Sequence, residues 1–104
     1  MNYTGNEDHS ISLAEAAELT ANYRNAQPND CIKAEFFGKN AILALLNQDN
    51  CMGMRIYYGQ DNNGVKKLVL VGTDGNGNDL DTGLILDKGF PCPTYCSSLN
   101  SLNS

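Results

Sequence analysis

The first regular pattern along the chain is that of an amphipathic helix. Small and apolar residues recur at intervals of three and four positions, at Leu13, Ala16, Ala17, Thr20 and Tyr23. They begin directly after Ser12, which has the spacing of a capping box with Glu15, where each side chain bonds the backbone amide of the other residue. The pattern predicts a helix over residues 13–26, ended by the turn formers of residues 27–30.

Two shorter patterns follow this helix. Residues 31–37 alternate in part between apolar and polar positions, which predicts a short strand or an extended lead-in. Residues 41–46 are good helix formers and are apolar nearly all round, which predicts a short buried helix that ends within residues 47–50.

The second half of the chain has the pattern of strands. Residues 54–58 and 67–71 are rich in β-formers, and the Asn-Gly step of the segment 60–64 between them is typical of a hairpin turn. A second turn over residues 74–78 leads to a third predicted strand at residues 84–86.

Helices followed by a run of strands predict an α+β fold. We expect two N-terminal helices packed on a three- to four-stranded, mainly antiparallel sheet that forms a β-meander. A chain of 104 residues is the size of one ordinary domain, so residues 1–104 are expected to form a single one. Residues 1–9 are a predicted flexible leader and residues 97–104 a flexible tail.

The charge balance limits the partners. Seven Lys and Arg against twelve Asp and Glu give a net charge of −5, which argues against nucleic acid and anionic membrane surfaces. No apolar run approaches the ~18 residues of a membrane span. The leader carries Glu7 and Asp8 and lacks the apolar core of a secretory signal, so we expect a cytoplasmic protein.

The four cysteines leave three alternatives open. Cys92 and Cys96 are one residue further apart than a C-x-x-C redox motif. They are free thiols or core residues, a small-loop disulfide, or half of a zinc site completed by Cys31 and Cys51. Because no export signal is present, four reduced thiols are the expected state.

The Gly-rich segment 74–81 has two interpretations. Oxygens at alternate positions, on Asp74, Asn76 and Asn78, are candidate calcium ligands. However, Ile85 stands where an EF-hand loop needs its bidentate Glu. A tight turn between strands is therefore the favoured interpretation, with a calcium site as the alternative.

The strand at residues 54–58 supplies the candidate binding surface. If Met54, Ile56 and Tyr58 face the helices as core residues, the period of two sends Arg55 and Tyr57 outward. A cation beside an aromatic ring is a pairing enriched in protein interfaces. We therefore predict Arg55 and Tyr57 as binding residues, with a solvated sheet face as the alternative.

Acid–base chemistry has little support in the sequence. The only histidine, His9, lies in the polar leader, and no carboxylate pair has apolar surroundings that would raise a pKa. No motif implies a cofactor. We expect a non-enzymatic module that binds a protein partner or another copy of itself, with a small zinc or calcium domain as the alternative.

Several motifs together carry a family resemblance. They are the segments CMGMRIYYG at 51–59, LVLVG at 68–72 and DGNGND at 74–79, with FFGK at 36–39 and PCP at 91–93. With these motifs the chain resembles a group of small uncharacterised bacterial proteins over most of its length. The resemblance implies a free-standing bacterial domain, and it implies no activity, cofactor or site residue.

Overall fold

A computed structural model describes all residues from 1 to 104 and has an α+β fold. Contacts within the chain group it into two compact units, one formed by Met1–Glu7 and Phe37–Gly89, the other by Asp8–Phe36 and Phe90–Ser104. The elements in chain order are α1 (Leu13–Asn25), β1 (Ala34–Phe36), α2 (Lys39–Leu46), β2 (Gly53–Gln60), β3 (Lys66–Thr73), β4 (Ile85–Leu86) and β5 (Phe90–Cys92). Neither helix combines the length and the apolar character needed to cross a membrane.

The first unit is built on an antiparallel sheet with the strand order β2-β3-β4. β2 and β3 pair along their whole length, from Gly53 opposite Thr73 to Gln60 opposite Lys66, so the predicted hairpin is confirmed. The third strand is short, because only Ile85 and Leu86 pair with β3.

The core of this unit involves both faces of its sheet, and α2 contacts the two long strands. Leu45 of α2 is completely buried, and Leu70 and Val71 of β3, which lie on opposite faces of the sheet, are nearly so. A short buried helix, apolar nearly all round, was expected, but Leu43 on another side of it is 42% exposed. An eight-residue helix that covers one sheet buries only one of its sides.

The two turns of this unit share one hydrogen-bonding pattern. In the first, the Asp61 carboxylate accepts from the amides of Asn63 and Val65, both at 2.9 Å. In the second, the Asp74 carboxylate accepts from the amides two and four residues on, also at 2.9 Å. Each turn has a glycine with positive φ three residues after its Asp, as in a type I turn followed by a bulge.

The second unit begins with the predicted helix. The Glu15 amide donates to the Ser12 hydroxyl at 3.1 Å, which confirms the cap. Glu15 does not reach the Ser12 amide; instead its carboxylate accepts from the Ser12 hydroxyl at 3.1 Å. At the other end of α1, the guanidinium of Arg24 donates to the carbonyls of Leu102 and Ser104.

The strands of the second unit form a separate two-stranded antiparallel sheet. Ala34 lies opposite Cys92 and Phe36 opposite Phe90. The expectation of one meander is therefore correct only for the three strands of the first unit. β1 finds its partner near the other end of the chain, and such a distant pairing leaves no local signal in the sequence.

The predicted leader makes contacts within the first unit. The Tyr3 amide donates to the Gly75 carbonyl at 2.8 Å, and the Thr4 and Gly5 amides donate to the Glu7 carboxylate. The segment therefore has defined partners although it has no helix or strand.

Candidate functional site

The open edge of the first sheet is formed by β2, whose only strand neighbour is β3. Across the turn that follows β2, the Asp61 amide donates to the Val65 carbonyl at 2.9 Å, so odd-numbered residues of the hairpin direct their main-chain groups inward. On the far side of β3, the Gly72 carbonyl accepts from Leu80 and so points away from Met54, its opposite residue. Even-numbered residues of β2 therefore present their N–H and C=O groups to the open edge.

Three consecutive side chains of this strand are exposed. Ile56 is 48% exposed, Tyr57 46% and Tyr58 94%. The expectation that Ile56 and Tyr58 belong to the core is therefore wrong. We call the unpaired main chain of β2, together with these three side chains, the β2 edge.

The face that carries Ile56 and Tyr58 is covered on β3, where Gly72 lies on the same face of the sheet as Met54 and Ile56. A methyl group built on Gly72 would lie 3.0 Å from the Gln48 amide nitrogen and 3.0 Å from the Cys51 sulfur. On this face β3 is thus covered beside Gly72, and Leu70, opposite Ile56, is also buried, while Ile56 and Tyr58 of the outer strand stay exposed.

On the opposite face, Arg55 and Tyr57 share one carboxylate. Arg55 donates to one oxygen of Asp79 at 2.6 Å, and the Tyr57 hydroxyl donates to the other oxygen. Arg55 also donates to the Gly77 carbonyl at 3.1 Å. The two predicted binding residues thus lie on one face, as expected, but their polar atoms contact their own chain.

The shifts in pKa follow from these contacts. The hydroxyl of Tyr57, and then the guanidinium of Arg55, stabilise the ionised carboxylate and lower the pKa of Asp79. The same hydrogen bond to Asp79 favours the neutral phenol and raises the pKa of Tyr57. The pKa of Arg55 is raised by its hydrogen bond to Asp79. The charge of Arg55 is thereby neutralised within its own chain.

Asp79 was not a predicted site residue. From the sequence it is only a part of the turn, where it stands at the position that holds glycine in an EF-hand loop. Its backbone forms a bridge with Thr73, which places its side chain beside the strand face that carries Arg55 and Tyr57. Turn geometry decides this placement, so the residue type alone gives no signal for it.

The candidate calcium ligands have other roles in the structure. One oxygen of Asp74 accepts from the amides of Asn76 and Asn78, and both asparagines are exposed. No group of three or more His, Cys, Asp or Glu side chains is arranged around a common point. The structure thus has a tight turn at this segment, which was the favoured interpretation.

The candidate zinc ligands Cys92 and Cys96 are joined in a disulfide, with their Cα atoms 4.7 Å apart. The expectation of four reduced thiols is therefore wrong for this pair. A turn brings them together, in which the Tyr95 amide donates to the Pro91 carbonyl at 2.8 Å. A bonded sulfur is not a thiolate ligand. Cys31 and Cys51 are free.

The second unit holds an aromatic groove of about 780 Å³. Its floor includes Phe36 and Phe90, whose ring centroids are 6.0 Å apart, and Tyr95 lies 5.3 Å from Phe90. All three rings are more than half exposed. The amides of Asn100 and Asn103, which also line the groove, bond within the tail. The groove therefore offers mainly apolar contact surface, to which the three rings contribute.

Comparisons of this chain with protein families, curated proteins and solved structures found no match. The resemblance to small bacterial proteins stays a prediction.

Proposed function

We propose that this chain is a non-enzymatic protein-binding or self-assembly module, and that the β2 edge is its contact surface. The observation that carries this proposal is the combination found on one strand. The eight-residue strand β2, which is unpaired along its outer edge, presents three consecutive exposed apolar side chains, and its single charge is neutralised by Asp79.

Open strands are usually protected against pairing. Proteins place lysines, prolines or bulges on such edges, or cover them with another element, because free N–H and C=O groups attract a further strand. β2 contains no lysine and no proline. It also pairs with β3 in an unbroken register from Gly53 to Gln60. The absence of these devices favours a strand that acquires a partner.

The chemistry of such a partner follows from the main chain. An extended segment added to the β2 edge would bond the outward N–H and C=O groups of Met54, Ile56 and Tyr58. Ile56 and Tyr58 would contact alternate side chains of that segment on one face, and Tyr57 on the other.

Three carboxylates of the chain accept hydrogen bonds from their own chain. The carboxylates with a shifted pKa are Glu7, Asp8 and Asp79, and hydrogen bonds lower the pKa of each of them. A carboxyl group that donates a proton near neutral pH needs a raised pKa. These three carboxylates are therefore suited to structural hydrogen bonding.

Peptide binding tests this proposal. The probe is a fluorescently labelled peptide of alternating valine and threonine, and fluorescence anisotropy measures its binding. Wild-type chain should bind it, and Tyr58→Pro should weaken binding at least about tenfold, since an outward donor is lost. Because the Tyr58 amide faces away from β3, the variant should keep the β2–β3 ladder.

Tyr58→Ala is the matched control, since it removes the ring but keeps the main-chain donor. It should weaken binding less than Tyr58→Pro does. If the wild type neither binds the peptide nor associates with itself, or if the proline variant binds the peptide as well as the wild type, the β2 edge is not a strand-binding surface.

A further inference from the structure

We infer that the β2 edge pairs with the β2 edge of a second copy of this chain, antiparallel and about a twofold axis at Ile56. This inference rests on the proposed function and names its partner. In this arrangement Ile56 lies opposite Ile56 of the second copy, and Met54 lies opposite Tyr58 of the second copy.

The main-chain groups fit this register. Met54, Ile56 and Tyr58 direct their N–H and C=O groups to the open edge, as the hydrogen bonds of Asp61 and Gly72 indicate. Antiparallel strands bond through residues that lie opposite each other and both face the partner. With the axis at Ile56, every outward residue from 54 to 58 meets an outward residue of the second copy. The strand is therefore complementary to itself.

The side chains on the face of Ile56 also match. Opposite residues of an antiparallel pair lie on the same face of the sheet. Ile56 therefore contacts Ile56 of the second copy, and Met54 contacts Tyr58 of the second copy. Tyr58 is 94% exposed in the single chain. An aromatic side chain buries about 150–250 Å² when fully covered. Each copy thus gains cover for its most exposed β2 side chain.

Charge on the other face does not oppose the pairing. The chain carries a net charge of −5, so two copies repel each other over most of their surfaces. On β2 the one charged side chain, Arg55, is paired with Asp79 in the same copy. With the axis at Ile56, Arg55 meets the ring of Tyr57 of the second copy, an attractive contact for a cation.

This neutrality selects a second copy over a charged partner. A strongly acidic or basic segment would find no unbalanced opposite charge on the β2 edge. A neutral apolar strand needs none, because it would bind through main-chain hydrogen bonds and apolar contacts. The chain itself supplies such a strand. Pairing joins the two three-stranded sheets into one continuous sheet and removes both open β2 edges.

Sedimentation and cross-linking together test this inference. At rising concentration the mass of the wild type should increase from 11.3 kDa to twice that value. Tyr58→Pro should remain at the single-chain mass over the same range. The register is tested in a background with Cys31→Ser and Cys51→Ser, which leaves the Cys92–Cys96 disulfide in place.

In that background, mild oxidation should link two copies of the Ile56→Cys variant. Opposite Cα atoms of a bonded antiparallel pair are about 5.5 Å apart, within disulfide range. Tyr58→Cys is the matched control, because its two copies would be about 13 Å apart along the strands. Position 58 is more exposed than position 56, so random collisions between chains would cross-link the Tyr58→Cys variant faster than the Ile56→Cys variant.

The outcomes separate the two proposals. A wild type that stays at the single-chain mass, or a Tyr58→Cys variant that cross-links faster than Ile56→Cys, overturns the pairing at Ile56. If the chain stays single but binds the valine–threonine peptide through β2, the proposed function holds and only the second copy is wrong. If it stays single and binds no peptide, both proposals fail.

Discussion

Arg55 and Asp79 form an ion pair of 2.6 Å between β2 and the segment that follows β3. The Tyr57 hydroxyl donates to the same carboxylate, and Arg55 also reaches the Gly77 carbonyl. These contacts fasten the second turn to the sheet face opposite Ile56. They hold Tyr57 in a fixed position on the β2 edge while leaving its ring partly exposed.

Asp79→Asn should reduce the stability of the fold most strongly at neutral pH. Because the folded-state pKa of Asp79 is lowered, the stabilisation is present above the pKa of the unfolded chain, about 3.9, and is lost as the pH falls through the lower folded value. Urea unfolding from neutral to acid pH should show the variant and the wild type converging below about pH 4.

The variant should still lose some stability in acid. Glu7 and Asp8 keep their lowered pKa values, which arise first from the backbone amides of Thr4 and Ser10. A constant difference between the variant and the wild type across this range would show that the charge of Asp79 does not stabilise the fold.

Tyr57→Phe should act at the alkaline end. The folded-state pKa of Tyr57 is raised, so its contribution is present below the ordinary tyrosine value of about 10 and is lost as the pH rises through the higher folded value. The phenylalanine variant lacks this loss. Urea unfolding against pH should therefore show a steeper alkaline decline in the wild type. Equal declines would mean that Tyr57 does not share the carboxylate in solution.

Local signals in the sequence account for the parts of the fold that were predicted correctly. The cap of α1 lies within four residues, from Ser12 to Glu15. The β2–β3 hairpin follows from alternating β-formers and an Asn-Gly step. In both cases the residues that decide the structure are neighbours in the chain. Phe36 and Phe90 are far apart in the chain, and their pairing was not predicted.

The candidate site was predictable only in part, for the same reason. The period of two correctly placed Arg55 and Tyr57 on one face. It could not show which face is covered or for how far, since this depends on where the chain after α2 crosses the sheet. The side chains of Gln48 and Cys51 cover Gly72 of β3, whereas Tyr58 of β2 is exposed. Asp79 likewise reaches Arg55 only through the geometry of the turn.

Leu45→Ala should destabilise the first unit by about 2–5 kcal/mol, because it removes a completely buried side chain and leaves a cavity. Leu43→Ala is the matched control in the same helix. Since Leu43 is 42% exposed, its loss should cost about 1 kcal/mol or less. Urea unfolding followed by circular dichroism measures both. Similar losses for the two variants would show that α2 does not bury one side against the sheet.

Gly72→Ala and Gly53→Ala should have opposite effects on stability, although both change a glycine of the same hairpin. A methyl group on Gly72 would lie 3.0 Å from the Gln48 and Cys51 side chains and 3.2 Å from Leu80, in a buried position. Crowding from three side chains should cost about 1–3 kcal/mol.

A methyl group on Gly53 meets nothing within 4 Å, and φ there is not positive. Alanine at that position restricts the unfolded chain and should stabilise the fold by about 0.4–1 kcal/mol. Thermal unfolding of the two variants measures the difference, and equal destabilisation would contradict the close cover over Gly72.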